Sequence, residues 1–276
     1  MQGKPVLQKP AEAANSAGRL DPDGFRRHIA FQTIPPPADL APCIEHFWII
    51  RWSRGNQPPY VSEQVMHRPF VDLFISLPES GIQCTFLGRK DYLAADEGRI
   101  LGLRFRPGAF HGFWSGSMAS LHDQTLQLTQ VFAEADEVFV QRLLRLDDAS
   151  VLQALADVIR RRLPAPDTQI DLIDQIIRAL DADATLGTVK AVAMRFGRSE
   201  RWIQQLFSEY LGVGLKWLLQ RHRLLGAAQY IREHAAIDWA ALAYDCGYSS
   251  QQHFINDFKR AIGKTPVHYQ KSLTKP

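Results

Sequence analysis

Two short stretches in the C-terminal third carry side chains suited to reading nucleic-acid bases. Arg201, Gln204, Gln205 and Ser208 recur at the three- and four-residue intervals that place side chains on one helix face. Gln251, Gln252, Ile255, Asn256 and Lys259 form a second such set about fifty residues later. An arginine can hold both acceptors of a guanine edge, and a glutamine or asparagine the donor–acceptor pair of adenine, each worth about 1–3 kcal/mol of discrimination. Apart from Glu200, the first turns of both faces lack carboxylates that would repel a phosphate backbone. Ile255 offers only an apolar branch, fit for a thymine methyl or a sugar edge, so the second face should discriminate less.

One polar face says little, because any surface helix shows one. Here an internal repeat lies behind the two faces. Ala191-Val-Ala193 with Gly197 matches Ala241-Leu-Ala243 with Gly247 at an offset of 50. Ile203, Phe207 and Gly212 then match Phe254, Phe258 and Gly263 at an offset of 51, so one residue has entered the second turn. Each copy reads as a helix, a glycine turn and a second helix with an apolar inner edge: Ile203, Phe207, Tyr210 and Leu211, then Phe254, Phe258, Ala261 and Ile262. That is the helix-turn-helix plan, in which the second helix enters a major groove.

Between the copies, Leu215 to Glu233 predicts a single helix of about 19 residues, roughly 28 Å long. A rod of that length can hold two recognition helices near the spacing of successive major grooves, about 34 Å. Lys216, Arg221, Arg223, Arg232, Lys259, Arg260 and Lys264 are candidates for phosphate contacts, which position a protein without reading sequence. The charge agrees. The chain carries a net +3, but from Gly187 onward thirteen Lys and Arg face six Asp and Glu, while the preceding part is mildly acidic. A basic third on an acidic body fits a polyanion-binding module joined to something else.

Thr188 to Lys271 resembles the DNA-binding domain of the AraC/XylS transcriptional regulators. The stretch that carries the resemblance is Leu242-Ala-Tyr-Asp-Cys-Gly-Tyr-Ser-Ser-Gln-Gln-His-Phe-Ile-Asn-Asp-Phe-Lys259, followed by Gly263-Lys-Thr-Pro266 and Tyr269. The resemblance implies a sequence-specific transcription factor, commonly an activator, with base-reading positions on Arg201, Gln204 and Gln205, then on Gln251, Gln252, Ile255 and Asn256. Gln270 stands where the family commonly has arginine, which puts a phosphate contact there in doubt. A homodimer acting on double-stranded DNA and working with RNA polymerase is the expected assembly.

Upstream, residues 43 to 114 read as strands. Ile44, His46, Trp48, Ile50 and Trp52 alternate onto one face; Val71, Leu73 and Ile75, and Leu101, Leu103 and Phe105, do the same. Two helices follow, over Glu134–Leu146 and Val151–Leu163, with a capping site in Asp147-Asp148-Ala-Ser150. The second carries an apolar stripe, Leu155, Val158, Ile159 and Leu163, that either covers the sheet or forms a two-fold dimer seam. Pro164-Ala-Pro166 marks the boundary. The expected organisation is an α+β two-domain chain. It has a tail over residues 1–22, an antiparallel β sensor domain (cupin-like or related) with a helical pair over 23–163, and a linker over 164–169. An all-α double helix-turn-helix domain over 170–276 completes it.

In the β domain, Trp48 and His46 are candidates for a ligand wall, and Arg104 and Arg106 for a clamp on an anionic effector whose identity the sequence does not give. His46, His67 and His111 lack metal-ligand spacing, so no metal or other cofactor is expected. Nor is catalysis: no nucleophile elbow, P-loop, dinucleotide fingerprint or HExxH motif occurs. The alternatives are a β domain that answers to a protein partner, or a metal-dependent β-barrel enzyme fused to the DNA-binding part. Three widely spaced cysteines, no secretory signal and no long apolar run point to a reducing cytoplasm and away from a membrane.

Overall fold

The computed structural model describes residues 18–273 apart from Pro78 and Ala184. The β domain opens with α1 (Pro22–His28) and runs through β1 (Ala30–Ile34), β2 (Ile44–Ser53), β3 (Tyr60–Val65), β4 (Asp72–Ile75), β5 (Gly81–Gln83), β6 (Arg89–Ala94) and β7 (Glu97–Phe105). Short 3-10 turns at Ala109–Phe113 and Met118–Leu121 lead to β8 (Thr125–Leu126), then α2 (Glu137–Leu143) and α3 (Asp148–Arg160). The helical part comprises α4 (Thr168–Ala182), α5 (Val189–Arg195), α6 (Glu200–Leu211), α7 (Leu215–Glu233), α8 (Trp239–Asp245), α9 (Gln251–Ile262) and α10 (Pro266–Leu273).

Six strands form one antiparallel sheet in the order β1-β2-β7-β4-β5-β8, and β3 pairs with β6 as a separate two-stranded layer. Strict alternation turns Leu101, Leu103 and Phe105 of β7, Leu73 and Ile75 of β4, and Phe47 and Ile49 of β2 to one side. There they meet Phe110, Phe113, Phe132 and the stripe of α3 in a single apolar core. The stripe residues Leu155, Val158 and Ile159 therefore cover the sheet, and the alternative of a dimer seam built from them does not hold. Leu163 lies past the end of α3 and is 40% exposed. The first helix is shorter than the sequence pattern and the second is shifted three residues toward the N-terminus, starting where Asp136 and Asp147 cap them, accepting from Phe139 N and Ser150 N.

The β2–β7 register shifts between Ile44 and His46. That irregularity corrects the expected face: Ile44 joins the core with Phe47 and Ile49, while His46, Trp48, Ile50 and Trp52 share the opposite side. Residues 1–17 of the expected tail lie outside the described residues, and its remainder is pinned. Val65 N donates to Gly18 O at 2.7 Å, Leu20 N to Glu63 O at 3.0 Å, and Leu20 is buried.

Asp167 caps α4, so Thr168 and Gln169 of the expected linker already belong to that helix. Ile170 packs into the sheet core, whereas Ile173, Ile176 and Ile177 pack under the first helix-turn-helix. One helix thus joins the two halves. All three cysteines are buried and unpaired, as small apolar residues. Among the described residues no helix is long and apolar enough to cross a membrane, and no cluster of His, Cys, Asp or Glu is placed to hold a metal.

Candidate nucleic-acid interface

The two copies of the repeat are built alike down to their caps. Thr188 and Asp238 open the bracing helices α5 and α8. Gly197 and Gly247 make the turns in the left-handed region, at φ 61° and 77°, where a side chain would be strained. Ser199 and Ser250 then open α6 and α9, each hydroxyl accepting from the backbone N–H three residues on at 3.2 Å. Gly212 and Gly263 close them at φ 75° and 83°. The connector between helices is one residue longer in the second copy, as the change of offset requires. Inside, Ile203 and Phe207, then Phe254 and Phe258, are fully buried.

Outside, Arg201, Gln205 and Ser208 on α6 and Gln251, Gln252, Asn256, Lys259 and Arg260 on α9 are exposed. The Gln252 amide donates to Asn256 Oδ1 at 3.0 Å, so these two residues present their remaining donors and acceptors together. Two candidates behave differently. Gln204 is half-buried, and its Oε1 accepts from Lys216 N at 3.4 Å, which makes it the cap that Gly214 cannot supply at the start of α7. Ile255 is half-buried against the second core.

Of the phosphate candidates, Lys216, Lys259 and Arg260 are exposed, with Arg260 reaching Asp257 at 3.1 Å. Arg221 is a correction. It is 4% exposed, donates to Ala261 O at 3.3 Å and to Leu87 O of the β domain, and burial pushes its pKa down to about 10. No phosphate can reach it. Arg223 turns inward to Cys246 O at 3.4 Å, Arg232 is half-buried, and Lys264 is bound to Glu63 at 2.9 Å. Gln270 donates to Ala235 O at 2.9 Å and so ties α10 to the turn before α8. One network escaped sequence reasoning: Gln220 of α7 and the Tyr248 phenol both donate to Asp257, locking the rod to the second motif. Burial first, then the Asp257 carboxylate, push the Tyr248 phenol up to about 12.

Two of the four candidate ligand residues of the β domain, His46 and Arg104, fall into one row. Strand register sets His46 opposite Arg104, Arg104 opposite Asp72, Asp72 opposite Gln83 and Gln83 opposite Thr125. This polar ladder crosses five strands on the face away from the core. Arg104 grips Asp72 with two hydrogen bonds of 2.8 and 2.7 Å and lies over the Phe70 ring. Burial, then the Arg104 charge, lower the pKa of His46. Trp48 sits one row along, with its indole N–H buried and unpartnered among the described residues. Arg106 is not part of this group. It lies beyond the end of β7 and pairs with Asp171 and Asp174 of α4 at 2.9 and 3.2 Å, so the expected two-arginine clamp does not form.

A family model described as a helix-turn-helix domain matches residues 192–272, and one described as a domain of unknown function (DUF6597) matches residues 32–127. The transcription factor PqrA of Proteus vulgaris, named as probable, is 32% identical over 89 residues, which are 32% of this chain and 71% of that one. The chain belongs to the AraC/XylS family of transcriptional regulators. A second AraC/XylS relative is the transcriptional activator RhaR of an Enterobacter species. It is 28% identical over 108 residues, covering 39% of this chain but only 38% of RhaR. The chain thus matches only part of RhaR's length. Over the whole chain, the crystal structure of ToxT from Vibrio cholerae O395 aligns with 89% of this chain and 99% of its own. Its identity is 12% and its TM-score 0.35, too loose to carry an argument.

Proposed function

We propose that this AraC/XylS chain is a sequence-specific regulator that sets α6 and α9 into adjacent major grooves of duplex DNA. In this reading Arg201 and Gln205 read one groove and Gln251, Gln252 and Asn256 the other, with Ile255 at the rim of the second. Lys216, Lys259 and Arg260 hold phosphates. Gln204 supports the groove-reading helix through its cap on α7. The observation that carries the reading is the doubled motif, with matching serine caps and left-handed glycines and with both outer faces open.

The β domain, read as a cupin-like or related sensor, binds a small polar effector over the ladder His46–Arg104–Asp72, where the unpartnered Trp48 N–H offers a donor. The protein then works as a cytoplasmic homodimer with RNA polymerase as its further partner, and not as an enzyme. Selection of duplexes from a random DNA pool by the full-length protein tests this reading. Enrichment of a site with two reading patches about one helical turn apart is expected. Recovery of unselected sequence would reject it.

A further inference from the structure

The β3–β6 pair is a two-stranded layer with a different neighbour on each side. Register and alternation put Ser62, Gln64, Lys90 and Tyr92 on one face and Val61, Glu63, Val65, Arg89 and Leu93 on the other. The first face lies on the polar ladder, where Lys90 donates to Gln83. At its Val65–Arg89 end the second face lies on the second helix-turn-helix, while Val61 and Leu93 are exposed. Val65 belongs to the same buried cluster as Phe254, Phe258, Ile262 and Tyr269. The Tyr269 phenol donates to Leu20 O at 3.1 Å, and the Arg89 guanidinium packs beside Gly263.

Glu63 is the hub of that seam. It accepts from Arg89 Nη1 at 2.9 Å and from Lys264 Nζ at 2.9 Å. Lys264 directly follows the glycine that ends α9, among the cations suited to a phosphate. We propose that Glu63 holds the Lys264 amine away from DNA, so that the β3–β6 pair of the sensor domain sets the affinity of the second motif. The proposal rests on the DNA-binding reading above and adds its control.

Glu63 does not lose its last partner in the exchange: when Lys264 moves to a phosphate, Glu63 keeps Arg89, which it shares with the half-exposed Asp91 at 3.0 Å. The β3–β6 pair shares no ladder hydrogen bonds with the six-stranded sheet.

The test is fluorescence anisotropy of the full-length protein on a duplex recovered from the pool selection, across a salt series. Glu63→Gln is expected to tighten binding about three- to tenfold near 0.1 M salt and to steepen the salt slope by about one unit. In a Lys264→Gln background the same change should do nothing. An unchanged or weaker affinity for Glu63→Gln, or equal tightening with and without Lys264, overturns the proposal. Wild type failing to bind any duplex would instead overturn the DNA-binding reading. Should Glu63→Gln not fold, hydrogen exchange of the wild type decides: residues 60–65 and 89–94 are expected to exchange faster with the duplex bound, and unchanged exchange sinks the latch.

Discussion

The indole of Trp48 lies flat across Gly102, its cross-strand partner in the β2–β7 register. A Cβ at Gly102 would sit 2.6 Å from Trp48 Cζ2 and 2.3 Å from Leu73 O. Trp52 does the same over Gly98. Two glycines on one strand thus accept two tryptophans from the next, filling the space a side chain would take. Gly102→Ala is expected to lower stability by about 1–3 kcal/mol, because a backbone carbonyl cannot move aside as a side chain can. Urea denaturation measures this, and a loss below about 0.5 kcal/mol would show that the sheet accommodates the methyl.

Arg201→Ala is expected to lose about 1–3 kcal/mol on the selected duplex and to relax preference at one base pair. Arg201 is exposed in the first turn of α6 and makes no ion pair among the described residues, so truncation leaves the fold intact. Equal loss on random DNA, measured in parallel by anisotropy, would move Arg201 from the base-reading group to the phosphate group.

Much of this interface is legible in the sequence because it is local. Ser199 and Ser250 as caps, Gly212 and Gly263 as ends, and Phe207 and Phe258 as anchors all act within a few residues of themselves. The alternation of Leu101, Leu103 and Phe105 is equally local. What is hidden depends on partners far along the chain. Arg221 reads as a surface cation on a helix, and only the fold brings Leu87 O to it. Gln204 reads as a base-reading amide until α7 presents an uncapped N–H. The shift between Ile44 and His46 moves one residue to the other face with no glycine or proline to announce it.

Lys259→Ala should weaken binding to every duplex alike. Lys259 is exposed on the last turn of α9, and each phosphate contact contributes about 0.9 to the slope of log K against log salt. A slope shallower by about one unit is expected, with the base preference from pool selection unchanged. A shift in preferred bases would assign Lys259 a reading role.

Acidification should loosen the β domain through His46. Its folded pKa lies below the ordinary 6.5, first because burial disfavours the imidazolium and then because Arg104 stands opposite. The unfolded chain therefore binds the proton first. The stabilising contribution is whole above about pH 6.5 and shrinks as pH falls from there toward the lower folded pKa. His46→Gln removes the titration, so its melting temperature should fall less than that of wild type between pH 7 and 5. Parallel pH curves for the two proteins would show that His46 carries none of the acid sensitivity.

Arg221→Met separates a phosphate contact from a buried strut. The side chain is 4% exposed and its guanidinium serves Ala261 O and Leu87 O, joining the middle of α7 to the end of α9 and to the β domain. Although burial pushes its pKa down to about 10, it stays charged at neutral pH. Methionine keeps the apolar stem but leaves both carbonyls without a donor. The expected loss is about 1.5–3 kcal/mol of stability, the range for hydrogen bonds to a charged group. The salt slope of DNA binding, measured below the melting range, should not change, because no counterion is released at a site that phosphate cannot reach. A slope shallower by one unit with stability intact would return Arg221 to the DNA-facing surface.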